Sequence, residues 1–145
     1  MINYPSEKVS VLVANVLNGP DSTPKPEWTD VIKRAAAQKK TVIGYVRTGY
    51  LGVSQQKYTT MLGSTDLADW IAQIETDAEL WYSLYGEGNI SGIFLDEGWN
   101  ECGVNNLYAN VYRRISDNIK RKHPGAYIML NPRNHMPQYF KERSV

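Results

Sequence analysis

Apolar residues occur in short runs rich in β-branched side chains, and these runs alternate with longer segments that carry apolar residues at helical spacing. The short runs predict four strands, at residues 9–14, 41–46, 90–97 and 126–130. The helical spacing predicts three helices, one beginning at Pro26, one capped by Asp66 or Thr65, and one over residues 106–122. This alternation predicts an α/β fold with a parallel sheet and right-handed crossovers.

Composition limits the classes of protein to consider. The sequence has no internal repeat, low-complexity segment or linker, so residues 1–145, of which 42% are hydrophobic, are expected to form one domain or part of one. A net charge of +1 gives no overall field that would favour nucleic acid or an anionic membrane, and no segment is apolar enough to cross a membrane. The single cysteine, Cys102, excludes an internal disulfide. The N-terminus lacks the pattern of a signal peptide, so localisation stays open.

Motifs for metals and cofactors are absent from the sequence. There is no HxxxH, HExxH or Cys/His cluster, and two adjacent acids do not make a calcium loop. The first strand is not followed by GxGxxG, and the chain lacks the nucleophile elbow of serine hydrolases. We therefore expect neither a metal nor a cofactor.

The third predicted strand carries the most informative residues. Its apolar run ends in two consecutive carboxylates, Asp96 and Glu97. Because burying a carboxylate is costly, both residues are expected where the strand emerges into a cleft, at the end where ligands of α/β folds collect. The alternative is that Asp96 caps the next helix and Glu97 is simply solvated.

Four sequence blocks resemble the spherulin-4 family in the same order. They are Asn18-Gly19-Pro20, Gly44-Tyr45-Val46 with Thr48 and Tyr50, Gly92 to Glu97, and Asn131-Pro132. The resemblance implies a (β/α)₈ barrel and a secreted protein. It also implies endo-cleavage of α-1,4-linked galactosamine and N-acetylgalactosamine polymers such as galactosaminogalactan, with Asp96 and Glu97 in the active site.

The chain also departs from that pattern. It reads Asn131-Pro132-Arg133 where family members usually have Asn-Pro-Gly. Four predicted strands make only about half of a barrel, which usually needs about 250 residues, and a further glutamate that the family carries on a later strand has no counterpart. The sequence is therefore either a fragment or a short protein that pairs with a second copy. Because an unpaired half barrel would expose apolar surface and sheet edges, we predict a homo-oligomer in the second case.

Strand alternation distinguishes the two carboxylates. If Gly92 and Phe94 face the barrel interior, Asp96 does too, while Ile93 and Leu95 pack against helices and Glu97 lies in the loop rim. Since glycoside hydrolysis normally needs two carboxyl groups, we interpret Asp96 as the principal catalytic carboxylate. Glu97 is then a second acid or an orienting group.

Other residues near the strand ends are candidates for polysaccharide binding. Amide and hydroxyl groups there could bind sugar hydroxyls, or they could serve only turn and cap hydrogen bonds. Aromatic rings in the loops could stack on sugar rings. The candidates are Asn15, Tyr45, Thr48, Asn131, Tyr50 and Trp99.

Two functions follow from these observations. The first is a glycoside hydrolase of the spherulin-4 type that uses Asp96 and Glu97. The second is a non-catalytic carbohydrate-binding or structural half barrel, which the missing later glutamate favours.

Overall fold

The computed structural model describes residues 10–132 and shows one four-stranded parallel sheet. The strands are β1 (Val11–Ala14), β2 (Thr41–Arg47), β3 (Gly92–Gly98) and β4 (Tyr127–Pro132), and they lie side by side in chain order. The helices α1 (Pro26–Ala37), α2 (Leu67–Tyr85) and α3 (Leu107–Lys122) connect them. The predicted α/β class is confirmed, and the arrangement corresponds to half of a β/α barrel.

Most predicted boundaries are close to those observed. Pro26 occupies the first position of α1, and Asp66 precedes α2, although its side chain makes no capping hydrogen bond. The predicted loop after β2 contains a short 3₁₀ segment, Gly49–Gly52, and β4 continues to Pro132 rather than ending at residue 130. Arg133 and the polar tail lie outside the described residues.

The hydrophobic core lies between the sheet and the helices. Its largest fully buried side chains include Trp70 and Trp81 from α2 and Tyr112 from α3. Helix α2 packs directly on β2, because a Cβ on Gly44 would lie only 2.3 Å from Cγ of Trp81. No helix within residues 10–132 has the length and apolar character needed to cross a membrane.

The two faces of β3 have the predicted orientation. Ile93 and Leu95 are fully buried in the core formed with the helices. Phe94 lies on the opposite face, where its ring stacks on that of Tyr45 with the centroids 6.0 Å apart. We call this opposite side, which the three helices do not cover, the inner face. It ends at Asp96, which pairs in register with Arg47 of β2.

Candidate functional site

Side chains from three neighbouring strands meet at Asp96. The Tyr45 hydroxyl of β2 donates a hydrogen bond to Oδ2 of Asp96 at 2.7 Å. The Asn131 amide of β4 donates to Oδ1 at 2.9 Å. Both carboxylate oxygens are therefore held, and the side chain stays partly exposed. The alternative in which Asp96 caps the next helix is wrong, because α3 follows Asn106 and both Asp96 oxygens bind strand residues.

A local irregularity in β3 repositions Glu97. The pairing of β3 with β4 shifts between Leu95 and Gly98, and Glu97 adopts the left-handed region with φ of +54°. The backbone therefore leaves strict alternation at the two consecutive carboxylates. Oε1 of Glu97 lies 2.6 Å from Nε of Arg47, so the alternative of a freely solvated Glu97 is also wrong.

Aromatic rings surround the cation of this ion pair. The Arg47 guanidinium carbon lies 5.1 Å from the centroid of the Tyr58 ring and 5.9 Å from that of Trp70. Distances of this size allow cation–π attraction. Arg47 therefore has a fixed position between Glu97 and the loop that follows β2.

Buried hydroxyl groups support the backbone under the carboxylates. The Thr48 hydroxyl oxygen lies 2.8 Å from the carbonyl oxygens of Asp96 and Glu97 and 2.8 Å from the Tyr112 hydroxyl. The Tyr112 oxygen in turn accepts the N–H of Trp99 at 3.0 Å. Because Thr48 is fully buried, its hydroxyl bonds inside the protein, to β3 and α3, and these long-range contacts are not the turn or cap bonds of the alternative.

Burial determines how the two tyrosines of the site behave. It raises the pKa of Tyr45 well above its usual range, and the hydrogen bond with Asp96 raises it further. It also raises the pKa of Tyr112. Tyr45 therefore remains a protonated hydrogen-bond donor to Asp96 at neutral pH.

The other three predicted residues have surroundings that differ from one another. Asn15 is exposed, and its Oδ1 accepts the N–H of Gly19 at 3.1 Å, which is a local turn bond. The ring of Tyr50 is partly exposed and contacts that of Tyr58, with the centroids 5.7 Å apart. Trp99 packs against the core, and its buried Nε1 finds no acceptor in the described part of the chain.

Arg47 and Tyr112 are the site residues that the sequence analysis missed. The signal for Arg47 was available, since it follows Tyr45 by two residues and therefore shares its side of β2. Tyr112 gave no signal, because its spacing in α3 is that of an ordinary core residue. Within residues 10–132, no group of three or more His, Cys, Asp or Glu side chains is placed to hold a metal ion.

Comparison with known proteins establishes the family. A family model described as spherulation-specific family 4 matches residues 1–144. The chain belongs to this family. No curated protein and no solved structure matches it significantly. In this spherulation-specific family 4 chain, the hydrogen bond between Asn131 and Asp96 joins two of the sequence blocks that resemble the family, Gly92 to Glu97 and Asn131-Pro132.

Proposed function

We propose that this chain is, or belongs to, a glycoside hydrolase that cleaves polysaccharides containing galactosamine or N-acetylgalactosamine. The observation that carries the proposal is the Asp96 carboxylate, held by Tyr45 and Asn131 at the carboxyl end of the central strands. Catalytic groups of β/α barrels collect at this end of the sheet. Family membership supports the expected substrate class through the resemblance of the sequence blocks.

The geometry gives the two carboxylates different surroundings. Two neutral donors orient Asp96, and its side chain remains partly exposed to a substrate. We therefore propose Asp96 as the principal catalytic carboxylate. Glu97, held by Arg47, is the second carboxyl group or orients the first. Tyr50 and Trp99 are the aromatic residues proposed to contact sugar rings.

The test of this proposal is the release of oligosaccharides from galactosaminogalactan by the purified chain. We expect Asp96→Asn to lower the rate by a factor on the order of 100 or more, because acid–base groups typically contribute that much. The exchange keeps the shape of the side chain and removes its charge. Asp117→Asn is the matched control, since Asp117 is exposed on α3 and is not part of the site.

The outcomes distinguish catalysis from binding alone. Wild-type activity in folded Asp96→Asn would contradict the assignment of Asp96. An inactive wild-type chain that still retains the polymer on an affinity column would support the second candidate, a non-catalytic carbohydrate-binding protein. That candidate is favoured by one observation, namely that the two carboxylates of the described site are neighbours in sequence. Adjacent residues are an unusual source for two groups that must flank one bond.

A further inference from the structure

A concave site of the described structure is lined by Arg47. It is a cleft of about 620 Å³ between the loop after β1, residues 59–61 and helix α2. Its volume is within the range of about 300–1,000 Å³ that is usual for small-molecule sites. We call it the Asp77 cleft, after the carboxylate of α2 that lines it.

Asp77 is a buried carboxylate without a partner of its own. Only 5% of the residue is exposed, and within residues 10–132 no hydrogen bond or ion pair reaches its side chain. Burial raises the pKa of Asp77 to about 6, so the group is still mostly ionised at neutral pH. An uncompensated charge in this position is costly unless a ligand supplies the opposite charge.

The other charged groups that line the cleft are already paired. Asp21 lies 2.9 Å from Nζ of Lys25, and Arg47 is held by Glu97. The backbone of Gly19 approaches the carboxylate closely, since a Cβ there would be in van der Waals contact with Oδ2 of Asp77, at 3.6 Å. Asp77 is therefore the one charged group lining the cleft that has no charged partner among the described residues.

We propose that the Asp77 cleft binds an amino sugar by pairing its primary ammonium group with the Asp77 carboxylate. The ammonium group follows from the unpaired negative charge. The sugar part rests on the proposed function and agrees with the apolar rim of the cleft, where Leu17 and Met61 are 73% and 79% exposed. Arg47 borders the cleft and also contacts Glu97, so the cleft adjoins the carboxylates of the candidate active site.

The experiment compares three small sugars by NMR titration of the full chain. Galactosamine carries the ammonium group, N-acetylgalactosamine has it blocked, and galactose lacks it. We expect galactosamine to bind at least about tenfold more tightly than the other two, the effect of one favourable charge pair. Asp77→Asn should abolish this preference, whereas the exposed charge-matched variant Asp117→Asn should retain it.

Equal affinity for the three sugars, or a preference that survives in Asp77→Asn, would overturn the proposal. If Asp77→Asn does not fold, the wild-type spectrum decides, because bound galactosamine must shift the amide signals of Gly19 and Gln73. Unshifted signals would refute the site. Failure of the proposed function would be seen in a separate assay, as an absence of oligosaccharide release. In the NMR titration, Asp96→Asn should still bind galactosamine more tightly than the other two sugars.

Discussion

Asp77 places a carboxylate on a helix face that otherwise carries core residues. Ile74 and Trp81, at helical spacing on either side, are fully buried. In the sequence, Asp77 is therefore a charged residue at a position where helical spacing predicts an apolar core residue. Its consequence for stability follows from the raised pKa.

The pH dependence of stability should report Asp77 directly. Its folded pKa of about 6 lies above the unfolded value near 3.8, so the folded state binds more protons between these values. The free energy of unfolding therefore falls as pH rises from about 4 to 6, by up to about 3 kcal/mol from this group. Urea unfolding of wild type and Asp77→Asn across this window measures the difference.

Comparing the two proteins isolates the contribution of Asp77 to the pH dependence, because every other titrating group is present in both. We expect Asp77→Asn to gain stability relative to wild type as pH rises and to lose that advantage toward pH 4. Parallel stability profiles of the two proteins would show that Asp77 is not desolvated in the folded state.

At the scale of elements, Thr48 connects three parts of the fold. Its hydroxyl touches backbone carbonyls of β3 and the Tyr112 hydroxyl of α3, and its N–H donates to the Asp96 carbonyl at 3.0 Å. These contacts are buried, so they fix the end of β2 against β3 where the carboxylates emerge.

Thr48→Val keeps the shape of the side chain and removes its hydroxyl. We expect a loss of about 1–3 kcal/mol in the free energy of unfolding, because buried carbonyl groups lose a partner. Urea unfolding measures it, with Thr76→Val on the exposed side of α2 as the control, expected within about 0.5 kcal/mol of wild type. An equally small change for Thr48→Val would show that the hydroxyl is not needed to hold the strand end.

The elements were predictable from the sequence because their signals are local. Apolar periodicity located the four strands and three α-helices of residues 10–132, and alternation along β3 assigned Asp96 to the inner face. The pairing of Glu97 with Arg47 was not predictable, since it depends on a register shift between β3 and β4. The burial of Thr48 also depends on α3, which contributes Tyr112 from a distant part of the chain.

For the whole molecule, the inner face of the sheet carries partly exposed apolar side chains near both of its edges. Val11 and Val13 of β1 are each 45% exposed, and Tyr127 of β4 is 51% exposed. Within residues 10–132, β1 and β4 each pair with a strand on one side only. Exposed apolar side chains next to unpaired edges favour association.

We predict that this chain forms a homo-oligomer in solution, to be measured by size-exclusion chromatography with light scattering. Val13→Lys should shift the population toward monomer, because a charge on this face is costly to bury. Val104→Lys is the control, since Val104 is 83% exposed in the turn before α3. A stable wild-type monomer at high protein concentration would contradict this prediction.

The left-handed backbone at Glu97 has a consequence for protein engineering. Such a conformation costs a residue with a side chain roughly 1–2 kcal/mol that glycine does not incur. Glycine at this position would relieve that cost, but it would also leave the partly buried Arg47 guanidinium without its counter-ion, which acts against stability. If Glu97 has the proposed catalytic role, glycine would remove that role too, so stabilising substitutions should be sought at other positions.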